Sequence, residues 1–327
     1  MVKLKVLFLI TVAFLFSFVA CNAVSAADHT VVWQDYRDVN PHVYYKNLDN
    51  NTEGRVSNID SKQIFPSISG NIAVWEDNRD GSNWHIYYKN LVTGTGGRVS
   101  NTDSNQHTPS ISGNNVVWID RRDGSNYHIY YKNLATNQGG RITNVDSDQR
   151  YPSISGNIIV WQDIRDSGNQ HIYYKNLATN QGGRVTNTDS QQYNPVISGN
   201  TVVWSDNRDG SNYHIYHKNL ATLTGGRVSN IDSDQLNPSI SGNIIVWQDN
   251  RDSAINHIYY KNLDTSTEGR VSNTDSRQEY PSISANSVVW IDYRDAVYPL
   301  IYYKNLASTS GGRVSGTKSN QINPKVG

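Results

Sequence analysis

One block governs the chain. Tyr151 to Thr188 reads YPSISGNIIVWQDIRDSGNQHIYYKNLATNQGGRVTNT, and it recurs with small edits from one end to the other. Its Trp-x-Asp core falls at Trp33, Trp75, Trp118, Trp161, Trp204, Trp247 and Trp290, spaced 42 residues once and 43 thereafter. A fixed period of about 40 to 50 residues marks a solenoid or a propeller, because a unit of that size cannot bury its own faces and must stack on copies of itself.

Within each block the apolar pattern alternates in short runs broken by turn residues, as strands do. Four strands are expected per repeat. Pro152 to Gly156 is the first, ending in a Gly-Asn turn that accepts positive φ, and Asn157 to Asp163 is the second, rich in β-branched residues. A turn follows, Arg79 to Asn83 in its commonest form. His171 to Leu177 is the third strand, with Ile172 and Tyr174 on one face and Tyr173 on the other. Gly183 to Asn187 is the fourth. Apolar residues on both faces suit a sheet sandwiched between two others.

The ends distinguish ring from line. The repeats begin at a second strand, Thr30 to Asp35, with no first strand before it, and they stop at Asn323 to Gly327, which is that missing strand. The two partial units sum to one. Closing a ring this way removes free sheet edges. The fold class expected is all-β, a seven-bladed β-propeller over residues 27–327.

Ahead of it, Lys3 and Lys5 precede an apolar run, Val6 to Ala20, and then Val24-Ser25-Ala26. A basic start, a short apolar core and a small-x-small site describe a signal peptide over residues 1–26. Two alternatives are an uncleaved anchor, for which the run is short against the ~20 residues of a span, and lipidation at Cys21. The expected location is therefore extracellular or cell-surface. Removing Lys3 and Lys5 leaves 27 basic against 29 acidic residues, a net of −2, which argues against a nucleic-acid partner. Cys21 is the only cysteine and Met1 the only methionine, so the exported chain would carry no thiol and no thioether to oxidise.

Pro-x-Ile-Ser-Gly-Asn, Val-Trp-x-Asp-x-Arg-Asp-Gly and Ile-Tyr-x-x-x-Leu together resemble the TolB-like propeller repeat, and more closely the tandem propeller repeats of archaeal cell-surface proteins. The resemblance covers the whole repeat region. It implies an extracytoplasmic binding or scaffolding role. TolB has six blades and a separate N-terminal domain, so its own role does not transfer to a chain with seven repeats.

The repeated charges Asp163, Arg165 and Asp166 could be a calcium loop, but an arginine in the middle opposes a cation, and an Arg–carboxylate network fixing loop shape is the simpler reading. Six blades open the third strand with His42, His85, His128, His171, His214 and His257, where the seventh has Leu300. About 10 Å from the innermost strand, such residues are too far apart to share a metal bound at about 2.0–2.1 Å. No cofactor and no catalytic residue are expected. Glu53, Glu76, Glu268 and Glu279 are the only glutamates and form no obvious pair, whereas glycoside hydrolysis wants two carboxylates about 5 to 9.5 Å apart.

Variation between blades is concentrated just before each Pro-x-Ile, in the pairs Ile64-Phe65, His107-Thr108, Arg150-Tyr151, Tyr193-Asn194, Leu236-Asn237, Glu279-Tyr280 and Ile322-Asn323. These pairs are expected in the connections that enter the innermost strands, ringing the channel mouth. The candidate binding residues are Phe65, His107, Arg150, Tyr151, Tyr193, Glu279 and Tyr280 at the mouth, with Trp84, Tyr127 and Tyr213 further out on the same side. The expected partner is a cell-envelope glycan or a surface protein, bound by a monomer with no membrane span in its mature chain. A purely structural envelope component and a propeller glycosidase or lyase are the competing readings.

Overall fold

A computed structural model describes residues 29–327, apart from 167, 253, 254 and 296. The expected leader over residues 1–26, with Cys21, lies outside the described residues.

Seven four-stranded antiparallel sheets form the blades of a propeller. In the fourth blade the strands run in order from the channel outward: Gln149–Ser155, Ile158–Asp163, His171–Asn176 and Gly182–Arg184. The first blade is composite. Gln321–Val326, the last strand of the chain, pairs with Thr30–Asp35, the first, in the register Val31↔Val326, Val32↔Lys325, Gln34↔Ile322 and Asp35↔Gln321. The ring closes as expected.

Two strand boundaries differ from the expectation. The innermost strand starts three residues earlier, at Gln149, because a bulge between Arg150 and Ser153 absorbs the residues before the proline that look like loop in the sequence. The outermost strand is only Gly182–Arg184, three residues long. A short outer strand offers little edge for another chain to pair with.

Packing follows the two-faced third strand. Ile172 and Tyr174 pack with Trp204 and Tyr216 of the next blade, whereas Trp161 and Tyr173 pack with Val117 and Ile129 of the previous one. Seven such inter-blade clusters circle the ring, and the one between blades seven and one joins Val326 to Trp33, Val289 and Ile301. Each cluster is ordinary aliphatic and indole burial, at roughly 25 cal/mol per Å² of apolar surface removed from water.

The polar side of each blade centres on one carboxylate. Asp163 is fully buried and accepts from Trp161 Nε1–H at 3.0 Å, the Arg165 backbone N–H at 3.0 Å, Ser147 Oγ–H at 2.6 Å, Gln149 Nε2 at 3.1 Å and the Arg165 guanidinium. The guanidinium also lies 4.0 Å over the Tyr173 ring, which stacks with Trp161 at 6.2 Å between centroids. Gln149 Oε1 accepts the Ile129 N–H of the preceding blade at 3.1 Å, so the carboxylate ties two blades together. The Trp, Arg and Ser contacts recur at Asp35, Asp77, Asp120, Asp206, Asp249 and Asp292. With its lone pairs filled by protein donors, this aspartate holds the turn rather than a cation.

Between first and second strands the Gly-Asn turn has φ of 53 to 57° at Gly70, Gly113, Gly156, Gly199 and Gly242, as the sequence predicts. Blade seven puts Ala285 there at φ 49°, a left-handed conformation that costs a residue with a Cβ about 1 kcal/mol. Ala285→Gly is therefore expected to raise the melting temperature by about 2 °C, measured by calorimetry, and an unchanged or lower value would show that the turn bears no strain. Deleting Gln321 to Gly327 removes Val326 from its cluster and Gln321 from Asp35, and exposes the edge of Thr30–Asp35. A clear drop in melting temperature with aggregation is expected; a truncated chain that melts like the full one would refute closure.

Candidate functional site

The seven bulges do more than shift a strand boundary. At each, the residue before the proline takes positive φ: Phe65 49°, Thr108 50°, Tyr151 51°, Asn194 51°, Asn237 51°, Tyr280 52° and Asn323 51°. Asparagine tolerates this region, but β-branched and aromatic residues rarely enter it. The kink turns one side chain per blade toward the axis. The seven residues line the mouth of a central channel of 440 Å³, with the following proline and the residue after it making the wall below.

The mouth is not symmetric. Phe65, Tyr151 and Tyr280 are 46 to 49% exposed, a large apolar surface left in water. The amides form a partial chain: Asn194 Nδ2 donates to Asn237 Oδ1 at 3.1 Å, Asn237 Nδ2 to Gln248 Oε1 at 3.0 Å, and Asn323 Nδ2 to Gln34 Oε1 at 3.2 Å. Below the mouth, Ser67, Ser110, Ser153, Ser239 and Ser282 face the channel, with Val196 in the fifth blade and Lys325 in the first. No Asp or Glu is among the lining residues.

The other residue of each pair turns away from the axis. Tyr193 does not approach the channel as expected; it stands edge-to-face with Tyr213, ring centroids 5.5 Å apart, and Asn194 takes the channel position. The bulge separates the two residues onto different faces, which a sequence alignment alone treats as one site. Burial and the Tyr193 hydroxyl push the Tyr213 phenol up to about 12. Glu279 is likewise buried beside the channel, paired with Arg277 at 2.6 Å and accepting from the Tyr293 hydroxyl at 3.3 Å. Trp84 is half-buried and serves the backbone, its N–H donating to Asn105 Oδ1 at 3.0 Å and its carbonyl accepting from Gln106.

His107, Tyr127 and Arg150 come together in a second, smaller cavity of 190 Å³ that opens beside the channel over blade three, walled also by Phe65 and Glu76 of blade two and Tyr151 of blade four. His107 Nδ1 lies 2.8 Å from Glu76 Oε2, and its ring meets Tyr127 edge-on at 5.9 Å. Arg150 sits 5.2 Å over the same Tyr127 ring. Glu76 Oε1 accepts the bulge N–H of Thr108 at 2.7 Å, so both of its oxygens are engaged and it fixes the imidazole and the kink together. Sequence reasoning set Thr108, Asn237 and Asn323 in the pairs that ring the mouth without choosing them as binding residues, weighed Glu76 only as an unpaired acid, and passed over Lys325. The signal for them was present as departures from the repeat at fixed columns, above all Lys325 where five blades have serine.

The repeated histidines are buried at the head of the third strand between two aspartates. His42 Nδ1 is 3.1 Å from Asp38, and His214 Nε2 is 3.3 Å from Asp232. The others sit further off, as His171 does at 3.5 Å from Asp189 and 3.9 Å from Asp166. Among the described residues no cluster of His, Cys, Asp and Glu has the arrangement of a metal site.

No family model matches the chain, and no curated protein matches it. Solved structures do. TolB from Acinetobacter baumannii is 16% identical with a TM-score of 0.56, over 92% of this chain and 67% of that one. An oligogalacturonate lyase from Vibrio parahaemolyticus is 13% identical with a TM-score of 0.61, over 84% and 85%. The propeller domain of the Trilobed protease from Pyrococcus furiosus, described as having an open velcro topology, is 10% identical with a TM-score of 0.66, over 88% and 93%. At these identities the likeness is one of fold. It supports the propeller fold expected from the repeat and leaves activity open.

Acid should dismantle the fold in two stages. Burial pulls His42, His85, His171 and His257 below the ordinary histidine value, aided by Arg55, Arg98, Arg184 and Arg270. A group with a depressed folded pKa stabilises above its unfolded value and loses that contribution as pH falls, so stability declines first below about pH 6.5. Burial raises the seven hub aspartates, but donors led by arginine outweigh it and hold them below 3.8. Their contribution is full above that value and is lost below it. The melting temperature should be flat above pH 7, fall gently toward pH 5 and collapse cooperatively below about pH 4. A profile that peaks in acid would contradict both directions.

Proposed function

We propose that this chain is an exported, non-catalytic binding module of the cell surface that takes a glycan or a protein segment at the channel mouth. One observation carries the reading: within near-identical blades, side chains that differ and stay exposed are gathered on one strained ring, where Phe65, Tyr151 and Tyr280 stand in water beside Asn194, Asn237 and Asn323. Strain at Phe65, Thr108, Tyr151 and Tyr280 is a cost that aiming these side chains inward would offset. Aromatic faces bind sugars and partner side chains at small conformational cost, and amides order the polar groups beside them. Lys3, Lys5, the Val6 to Ala20 run and Val24-Ser25-Ala26 support export, and the resemblance to surface-protein repeats supports retention at the envelope. Among the described residues no helix is long and apolar enough to cross a membrane.

The Phe65→Ala, Tyr151→Ala, Tyr280→Ala triple variant tests this. Because these rings are half in water, the melting curve should barely move, while sedimentation with isolated cell envelopes should fall several-fold. Undiminished binding would place the site elsewhere; a collapsed fold would make the rings part of the core.

A further inference from the structure

Of the seven channel-facing positions below the mouth, six carry Ser67, Ser110, Ser153, Val196, Ser239 and Ser282, and the seventh carries Lys325. Lys325 lies on the closing strand, two residues below Asn323, a descent of about 6 to 7 Å along the strand. Its backbone pairs with Val32, which fixes where the side chain starts. The flanking Pro324 and Val326 are buried, while the lysine remains open to the water of the channel. Among the other lysines Lys46 and Lys261 reach Glu53 and Glu268, and Lys89, Lys218 and Lys304 donate to backbone carbonyls of the preceding blade. Lys325 has no carboxylate within 4.0 Å among the described residues, and the channel lining offers none. The channel is thus a recess with one uncompensated positive charge, serine hydroxyls on the wall, and aromatic and amide side chains at its entrance. Although its surface is open to the channel, the narrow recess keeps it from bulk water, which lowers its pKa and disfavours the charged form; an anion bound beside it would restore that form.

Building on the mouth as binding site, we propose that Lys325 makes the channel selective for a carboxylate-bearing sugar, a hexuronate unit of an acidic polysaccharide whose ring stacks at the mouth while its carboxylate descends to the ammonium. The 440 Å³ recess falls in the size range of small-ligand pockets. A sugar is favoured over the C-terminus of a peptide because a terminal carboxylate is usually captured by free backbone N–H groups, and here the bulge N–H groups of Thr108, Asn194 and Tyr280 already donate to Glu76, Gln162 and Gln248. Three aromatic faces set among amides provide the stacking and hydroxyl recognition that a pyranose uses.

Calorimetric titration of the full chain with three-unit oligomers of galacturonic and glucuronic acid, their methyl esters, and a tripeptide with a free C-terminus separates the possibilities. The acids should bind about tenfold more tightly than their esters, the loss expected for one charge-assisted hydrogen bond. Lys325→Ser restores the residue of five other blades, so it should melt like the native chain, keep its weak affinity for the esters and bind acid and ester alike. Lys325→Met, which keeps the length of the side chain, should behave the same way. Equal affinity for acid and ester in the native chain, or a preference that survives Lys325→Ser, overturns the role of Lys325 while leaving the mouth as a site. Tighter binding of the tripeptide than of either acid overturns the sugar. Binding of no sugar probe at all overturns the assignment of ligand class, and envelope binding is then judged by the mouth triple variant alone.

Discussion

The structure depends on burying a carboxylate seven times over. An aspartate taken out of water is costly unless donors replace the water it loses, and each blade supplies an indole N–H, a guanidinium, a backbone N–H and a serine hydroxyl to do so. Those donors come from three separate places: the second strand, the turn after it, and the connection from the preceding blade. Satisfying one charge therefore fixes three segments at once. Apolar packing between blades supplies cohesion, but packing alone tolerates sliding; the aspartate sets the angle at which each turn meets its neighbour. Such repetition explains why the Trp, Asp and Arg of Trp-x-Asp-x-Arg are unchanged in all seven repeats.

With the scaffold held this way, the blade entrances are released from packing duties, and there the copies diverge. The bulge before each proline converts a column of the repeat into a ring of inward-facing side chains. Because the kink places one residue of each pair toward the axis and its partner toward the crevice between blades, two adjacent positions serve different surfaces. Phe65, Tyr151 and Tyr280 belong to the channel, whereas His107, Arg150 and Glu279 belong to the crevices, where Glu76, Tyr127 and Arg277 engage them.

Period, strand number and closure were legible in the sequence because they are properties of every copy and reinforce one another. The two-faced third strand was equally plain, since Ile172, Tyr173 and Tyr174 can be satisfied only between neighbours. What escaped was the bulge. Gln149-Arg150-Tyr151 reads as loop because proline within strands is confined to edges, bulges or the first position, so Pro152 was taken as the strand's start, and nothing in composition shows that Tyr151 is left-handed. Tyr193 was misplaced for the same reason, being the wrong member of its pair. Lys325 was visible as a departure from serine, but its meaning needed the ring, because only closure brings all seven columns around one axis.

Closure also sets the direction from which the molecule is held. The Thr30 N–H donates to the Gly327 carbonyl at 3.3 Å, at the end of the first blade remote from Asp35 and Gln321 and so remote from the mouth. Any tether entering at His29 and any segment leaving at Gly327 depart side by side from the rear of the ring. Held by either, the propeller would present its open end outward like a cup on a stem, and tension applied between the two would be borne by a single pair of adjacent antiparallel strands.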